Sequence, residues 1–193
     1  MQNRNIVRRV AIKEARELLE SNFVVMDTET TGLGADAEIV EISIIDSDGT
    51  DLFTSLVRPN MPILPELVAI HGITNGMVCN APAWKDVHDC VMHLFSGRKI
   101  AIYNAPYDLR MLRQCSDFAG CRLPADLERQ SRCVMQIYSK FRGEWSDKHG
   151  NWRWHKLSAA AQTCGIEPTG AHRALADTRM ALGVLKYVAA QEI

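Results

Sequence analysis

The sequence predicts an α/β fold in which a five-stranded mixed sheet is flanked by helices on both sides. Short apolar and β-branched runs dominate the first half of the chain, and segments with helical periodicity dominate the second half. This order is typical of a sheet covered by helices. The chain has 193 residues, 47% of them hydrophobic and 23% charged, so it fits one domain with a sizeable core.

The first half of the chain is expected to form a helix and three strands. Apolar residues recur at helical spacing over about residues 5–20. The runs 23–26, 40–45 and 51–57 predict strands, and Asp48-Gly49 predicts the turn between the second and third. These strands should form an antiparallel meander.

The rest of the chain is expected to be mostly helical. Thr74 can cap a short helical turn, and Pro106 suits the start of a helix. Helices are predicted near 66–70 and over 81–95, 106–118, 133–141, 157–164 and 171–190. A fourth strand is predicted over 99–104 and a short fifth strand at 129–133.

Composition excludes several classes of protein. A net charge of −1 argues against binding nucleic acid through overall basicity. The six cysteines include no C-x-x-C pair, which argues against a zinc site. Four of them lie in predicted helices and are expected to be buried reduced thiols: Cys90, Cys115, Cys133 and Cys164. The N-terminus lacks a signal-peptide core, and no apolar run approaches the ~20 residues of a membrane span. We therefore expect a cytoplasmic protein without membrane contact.

Acidic side chains follow two of the predicted strands and open the last helix. Asp27 and Glu29 are two residues apart on a strand, so both project from one face. Asp108 lies in the first turn of the helix after the fourth strand, which should lie beside the first. His172 and Asp177 are five residues apart, so the histidine must precede the helix that carries Asp177.

Each of these residues has a plainer explanation when it is taken singly. The strand pair can be solvated, Asp108 can stabilise the helix dipole, and His172 can be a surface residue. Together, four carboxylates and one histidine match what a two-metal phosphodiester hydrolase requires. Oxygen ligands favour two divalent ions, Mg²⁺ or Mn²⁺. An imidazole can accept the proton of an attacking water.

Three motifs occur in a fixed order: DTETTGL at 27–33, NAPYDLRML at 104–112 and HRALADTRM at 172–180. The ordered set resembles the DEDDh family of 3′→5′ exonucleases, proofreading relatives with the ribonuclease H-like fold. The resemblance runs from about residue 23 to about residue 188. Tyr103 stands where many relatives have His, and Tyr107 where Phe is common.

The resemblance implies a role for each matching residue. The metal-binding acids would be Asp27, bridging both ions, Glu29 and Asp177 on the ion that holds the attacking water, and Asp108 on the other. His172 would be the general base. The residues implied to contact the terminal nucleotide are Thr28, Thr31, Gly32, Leu33, His71, Asn104 and Tyr107.

The expected reaction is hydrolysis of the terminal phosphodiester at the 3′ end of single-stranded or frayed DNA, releasing 5′-mononucleotides. RNA is the alternative substrate. A non-catalytic adaptor that binds nucleic acid or a polymerase is a further alternative, against which the complete set of acids argues. A polymerase or a second copy of the chain is a possible partner that the sequence does not resolve.

The sequence divides into an N-terminal helical extension, residues 1–22, and an exonuclease domain, residues 23–193. Within it, residues 143–155 carry three of the four tryptophans and are expected to form a hairpin or flap. Trp145, Trp152 and Trp154 can stack on bases or close a core or dimer contact. Three arginines beside the motifs can bind phosphates or lie on solvated helix faces: Arg110, Arg113 and Arg173.

Overall fold

A computed structural model of the protein describes residues 2–192, with side chains described from residue 4 onward. In the first half of the chain, the elements are α1 (Gln2–Leu19), β1 (Phe23–Thr30), β2 (Ile39–Asp46), β3 (Asp51–Leu56), α2 (Pro65–His71), α3 (Asn75–Val78), α4 (Trp84–Phe95) and β4 (Lys99–Ile102). In the second half they are α5 (Ala105–Ala119), α6 (Leu127–Gln130), β5 (Ser131–Cys133), α7 (Val134–Arg142), β6 (Trp145–Ser146), β7 (Asn151–Trp152), α8 (Leu157–Thr163) and α9 (Ala174–Ala189).

The main sheet has five strands in the order β3-β2-β1-β4-β5. The first three strands pair antiparallel, as the predicted meander requires. β4 pairs parallel with β1, and β5 pairs parallel with β4. The predicted mixed sheet is therefore confirmed. The parallel pairing matters for function, because it brings the residues that follow β1 and β4 to the same edge of the sheet.

Helices cover both faces of this sheet, and alternate residues of β1 show the division. Phe23 and Val25 are buried in a core formed with α1, α7, α8 and α9. Val24 and Met26 are buried in a second core formed with α4 and α5. A strand that is buried on both faces needs apolar side chains on both, so its sequence is a continuous apolar run and not an alternating pattern. This explains why residues 23–26 are all hydrophobic.

The N-terminal helix packs tightly on the first of these cores. Ala11, Ile12 and Ala15 are fully buried there, between α7 and α9. Arg16 also donates two hydrogen bonds, each at 2.8 Å, to the carbonyl oxygens of Ala189, the last residue of α9, and of Gln191 just after it. The helix that was expected to be an extension is thus in close contact with residues 134–189. The division of the chain at residue 22 stays a prediction.

Two helices begin later than the sequence pattern indicated. The helix predicted over 81–95 begins at Trp84, because Pro82 lies just before it and Asp86 accepts a hydrogen bond from the Ala83 N–H at 2.9 Å. The helix predicted over 171–190 begins at Ala174. Residues 171–173 instead form an irregular lead-in, which is important for the site.

The cysteines depart from expectation at one position. Of the four thiols expected to be buried, Cys115 is buried, Cys133 and Cys164 are half-buried, and Cys90 is exposed, so the prediction for Cys90 was wrong. The reason is helical geometry. The face of α4 that packs on the core carries Val87, Val91 and Phe95, and Cys90 lies outside that face.

The tryptophan hairpin, residues 143–155, contains the two-stranded sheet of β6 and β7. Trp145 is 48% and Trp154 is 60% exposed, so neither fills a core of this chain. Trp84, by contrast, is buried beside α5. Within residues 2–192, no helix has both the length and the apolar character needed to cross a bilayer. The cytoplasmic location stays a prediction.

Candidate active site

Three of the predicted acids converge where β1 ends and α9 begins. Asp27 and Glu29 project from the same face of β1, and Asp177 lies in the first turn of α9, which packs on that face. One carboxylate oxygen from each of the three side chains lies within 4.8 Å of the others. The structure therefore brings together acids that are up to 150 positions apart in the sequence.

The fourth acid, Asp108, lies next to this group and is held by a different contact. It is in the first turn of α5, directly after β4, and its side chain is buried. Thr28, between the two β1 acids, donates its hydroxyl hydrogen to Asp108 Oδ1 at 2.7 Å. Because successive residues of a strand point to opposite faces, Thr28 reaches Asp108 while its neighbours reach Asp177.

Burial and mutual repulsion make these carboxyls hard to ionise. Burial, then the charges of Asp108 and Asp177, raise the pKa of Asp27 well above its ordinary value. Burial and the charge of Asp177 raise the pKa of Glu29 to about 8. Burial raises the pKa of Asp108 to about 7 and that of Asp177 to about 6. Such a cluster is costly unless a positive charge offsets it.

The donor set fits a hard divalent cation. Asp27, Glu29 and Asp177 offer only oxygen atoms, which Mg²⁺ and Mn²⁺ prefer over sulfur or imidazole ligands. The raised pKa values point the same way, because a bound cation favours the ionised form of each acid. The residues present thus fit the metal dependence expected from the sequence.

His172 lies on the lead-in to α9, as the five-residue spacing required. It has a φ of 64°, and among residues 2–192 it is the one non-glycine residue with a positive φ. That conformation is uncommon for a residue with a Cβ and costs about 1–3 kcal/mol, which surrounding contacts must offset. The His172 N–H donates to Asp177 Oδ1 at 3.2 Å, and the side chain is exposed.

An ion pair that the sequence analysis missed, between a buried carboxylate and a partly exposed arginine, holds this lead-in. Glu41 of β2 is paired opposite Glu29 and is 2% exposed. Arg173 donates to both of its carboxylate oxygens, with Nε at 3.1 and 3.2 Å. The Ala174 N–H donates to the same carboxylate at 2.9 Å. Arg173 therefore binds a buried carboxylate, which is neither of the two roles expected for it.

The loop after β1 is held from α5. The Tyr107 hydroxyl donates to the Gly32 carbonyl oxygen at 2.9 Å and lies 2.5 Å from the Thr30 hydroxyl. Arg110 donates to the carbonyl oxygens of Leu33 and Gly34 at 3.3 and 3.2 Å. The Leu33 side chain is nevertheless 80% exposed. The loop thus presents a large apolar side chain to solvent on a fixed backbone.

The remaining predicted contact residues lie around the same edge. Thr31 accepts a hydrogen bond from the Glu38 N–H at 2.9 Å, which closes the loop after β1. His71 is buried, and its Nδ1 accepts from the Ile73 N–H at 3.0 Å. Burial lowers the pKa of His71, which favours the neutral ring that this hydrogen bond requires. Asn104 lines a cavity of about 490 Å³ together with His172 and Asp177.

Comparison with known proteins places this arrangement among exonucleases. Residues 24–185 match the model of the RNase T family, which is described as "Exonuclease". The chain is 45% identical over 181 residues to the uncharacterized exonuclease CP81 of Escherichia phage 186, covering 92% of this chain and 93% of that protein. It is 38% identical over 89 residues to exodeoxyribonuclease 10 of Escherichia coli K12, covering 46% of this chain and 39% of that protein.

A solved structure shares the fold. It is exonuclease X in complex with 5′ overhanging duplex DNA, with a TM-score of 0.64 and 29% sequence identity. The match covers 86% of this chain and 90% of that one. This likeness agrees with the ribonuclease H-like fold class predicted from the sequence.

Proposed function

Because this chain belongs to the RNase T family of exonucleases, we propose that it removes nucleotides one at a time from the 3′ end of a DNA strand. The products would be 5′-mononucleotides. The observation that supports this most directly is the convergence of Asp27, Glu29 and Asp177 within 4.8 Å at one end of the sheet. Half-buried carboxylates held this close together repel one another, and a bound cation would offset that repulsion.

The acids would hold two divalent ions, Mg²⁺ or Mn²⁺. Asp27 would contribute to both, Glu29 and Asp177 to one, and Asp108 to the other. When bound, such ions would supply positive charge that stabilises the pentacoordinate transition state at phosphorus and would help the attacking water to lose its proton. The hydrogen bond from Thr28 would fix the orientation of Asp108 for this task.

His172 would act as the general base. Water adds to the terminal phosphorus, and the bond from phosphorus to the 3′ oxygen of the preceding nucleotide breaks. The leaving oxygen takes up a proton, and His172 accepts the proton lost by the water. The Glu41–Arg173 pair and the hydrogen bond to Asp177 would keep the histidine on the rim of the acid cluster.

The loop after β1 would receive the terminal nucleotide. Leu33 offers an exposed apolar surface for the base, and Thr31 and Gly32 offer the polar backbone of a turn beside it. Tyr107 of α5 would support this loop, because its hydroxyl donates a hydrogen bond to the Gly32 carbonyl oxygen. The surroundings of the nucleotide would be completed by Thr28, His71 and Asn104. Thr28 contacts Asp108, and Asn104 lines the same cavity as His172.

DNA is the substrate that the comparisons support better. Exonuclease X is described with a DNA duplex, and the name of exodeoxyribonuclease 10 specifies DNA. A single-stranded or frayed 3′ end would enter the site at the carboxyl ends of the inner strands β1 and β4. Association with a polymerase or with a second copy of the chain stays a prediction.

The test is a nuclease assay with Mn²⁺ on strands of one sequence, as single-stranded DNA, duplex DNA with a frayed end, and RNA. Labels at the 5′ or the 3′ end report polarity and product length. We expect mononucleotides from the 3′ end of DNA, and no product with EDTA or with Asp27→Asn. Faster release of mononucleotides from RNA than from DNA would identify RNA as the substrate. Release without a metal, or no release from any strand, would contradict the proposal.

A further inference from the structure

We propose that Trp154 is a base-stacking residue for the strand upstream of the scissile bond, so that the tryptophan hairpin extends the substrate site beyond the terminal nucleotide. This inference rests on the proposed function, because it assumes that a nucleic acid strand enters the acid cluster. The ligand class is a nucleobase of single-stranded nucleic acid.

The position of Trp154 links the hairpin to the acid cluster. The cavity of about 490 Å³ that is lined by His172, Asp177 and Asn104 is also lined by Trp154 and Lys156. That volume is within the range of sites that bind small organic groups, about 300–1,000 Å³. A strand whose terminal phosphate lies at Asp177 can therefore continue through this cavity to the indole ring.

The backbone on both sides of Trp154 is anchored, and its side chain is exposed. On one side, the Arg153 N–H donates to the Glu144 carbonyl oxygen at 2.7 Å. On the other, the Tyr103 hydroxyl donates to the His155 carbonyl oxygen at 3.0 Å. The His155 ring also packs edge-on against Tyr138, with ring centroids 5.4 Å apart. An indole that is 60% exposed between two anchored residues is available for stacking at little entropic cost.

Tyr103 explains why the hairpin is attached to the site. It follows β4 directly, one residue before Asn104, and its ring is buried. A residue without a phenol oxygen at this position could not make the hydrogen bond to His155. Tyr103 thus fastens the hairpin beside the catalytic edge.

The segment around Trp154 also offers positive charge to a nucleic acid strand. Between residues 148 and 156 the chain has three basic residues, Lys148, Arg153 and Lys156, and no Asp or Glu. All three are exposed. The acids of the hairpin, Glu144 and Asp147, precede this segment, and the Glu144 carboxylate lies 3.9 Å from the Arg153 guanidinium. Beside a cluster of four acids, this positive segment can bind the phosphates that follow the scissile one. Exposed aromatic rings interleaved with basic residues are the usual surface for single strands.

The test compares Trp154→Ala with Trp154→Phe in the full chain. Oligonucleotide binding is measured by fluorescence anisotropy with Ca²⁺ in place of Mg²⁺, and kcat and KM are measured with Mn²⁺. Loss of one base stack predicts weaker binding and a higher KM by about 5- to 150-fold for the alanine variant, and near-normal values for phenylalanine. Phe118→Ala, which removes an exposed aromatic ring of α5, is expected to leave both values unchanged.

An abasic scan locates the base. One nucleotide at a time is replaced by an abasic unit upstream of the scissile bond, and we expect one position at which Trp154→Ala has no further effect. If Trp154→Ala weakens binding equally at every abasic position, or if Phe118→Ala weakens it as much, the stacking assignment is wrong. A Trp154→Ala chain that binds DNA normally but loses a dimer would also overturn it.

A small ester separates this proposal from the proposed function. Thymidine 5′-p-nitrophenyl phosphate has no upstream nucleotide, so wild type and Trp154→Ala are expected to hydrolyse it at equal rates. If wild type cleaves neither this ester nor any strand, the proposed function fails, whereas the abasic scan by anisotropy still decides whether Trp154 stacks on a base.

Discussion

Replacing Glu41 by glutamine should lower both stability and catalytic rate, because this buried carboxylate holds the lead-in to α9. It accepts hydrogen bonds from Arg173 Nε and Nη2 and from the Ala174 N–H. Glutamine has the same length, but its amide nitrogen can only donate and would face the donors of the guanidinium. At least one of the present hydrogen bonds must then be lost.

The size of the effect follows from the burial of the two partners. Hydrogen bonds to charged groups contribute about 1.5–3 kcal/mol, and breaking a fully buried pair costs about 3–5 kcal/mol. The Glu41 side chain is only 3% exposed, but that of Arg173 is 47% exposed and can be solvated when the pair is broken. We therefore expect a loss of about 2 kcal/mol, which lowers Tm by about 4–8 °C for a chain of this length.

The rate should fall because the pair positions His172 and Asp177. Misplacement of a catalytic group by about 1 Å can cost about 10²-fold. We expect kcat for mononucleotide release to drop at least about tenfold in Glu41→Gln, with a smaller change in KM. The measurements are thermal unfolding and initial rates on single-stranded DNA.

A matched control breaks an ion pair at the surface. Arg113 pairs with Glu128, and their side chains are 53% and 67% exposed. Arg113→Gln should therefore change stability by less than about 1 kcal/mol and leave the rate unchanged. The single variants Glu41→Gln and Arg173→Gln and their combination should show a coupling energy above about 1 kcal/mol. If Glu41→Gln has the Tm and the rate of Arg113→Gln, the Glu41–Arg173 pair neither stabilises the fold nor positions His172.

Three further predictions concern the acids, the base and the loop. His172→Ala should lower kcat by about 10²–10⁴ with little change in Tm, and an unchanged rate would remove His172 from the mechanism. The pKa values of Glu29 and Asp177 are raised in the folded protein. Between about pH 5 and about pH 8 the folded protein therefore binds more protons than the unfolded chain. Because of this difference, the Tm of the metal-free protein should fall as pH rises. Calorimetry in EDTA checks this fall, which should be shallower in Glu29→Gln; a Tm that rises over this window to the same extent in both proteins would contradict it. Leu33→Ala should leave Tm unchanged, since the side chain is 80% exposed, and should raise KM for DNA several-fold; equal KM values for both proteins would show that Leu33 does not contact the base.

Much of the fold was accessible from the sequence because its signals are local. The buried strand at 23–26 is a continuous apolar run, and the turn at Asp48-Gly49 sets the first hairpin. The placement of His172 before α9 followed from the five-residue spacing to Asp177, since a helix turns these positions away from each other. Cys90 was misplaced although the pattern of Val87, Val91 and Phe95 already defined the inner face of α4.

Other features of the site depend on contacts that no local pattern contains. Glu41 and Arg173 are 132 positions apart, and the only sequence signal was a single acid inside an apolar strand, which needs a buried partner. The contact of Thr28 with Asp108 depends on how β1 and α5 meet. The attachment of the tryptophan hairpin through Tyr103 likewise required the packing of residues 52 positions apart.

The most direct test of the account is to locate the metal. Crystals grown with Mn²⁺ and measured for anomalous scattering should show a peak between the carboxylates of Asp27, Glu29 and Asp177, about 2 Å from an oxygen of each. The same experiment on Asp27→Asn should show the peak weakened or absent. If a protein that binds Mn²⁺ in solution shows no peak at these carboxylates, or a peak held by other residues, the acid cluster is not the metal site and the proposed mechanism is contradicted.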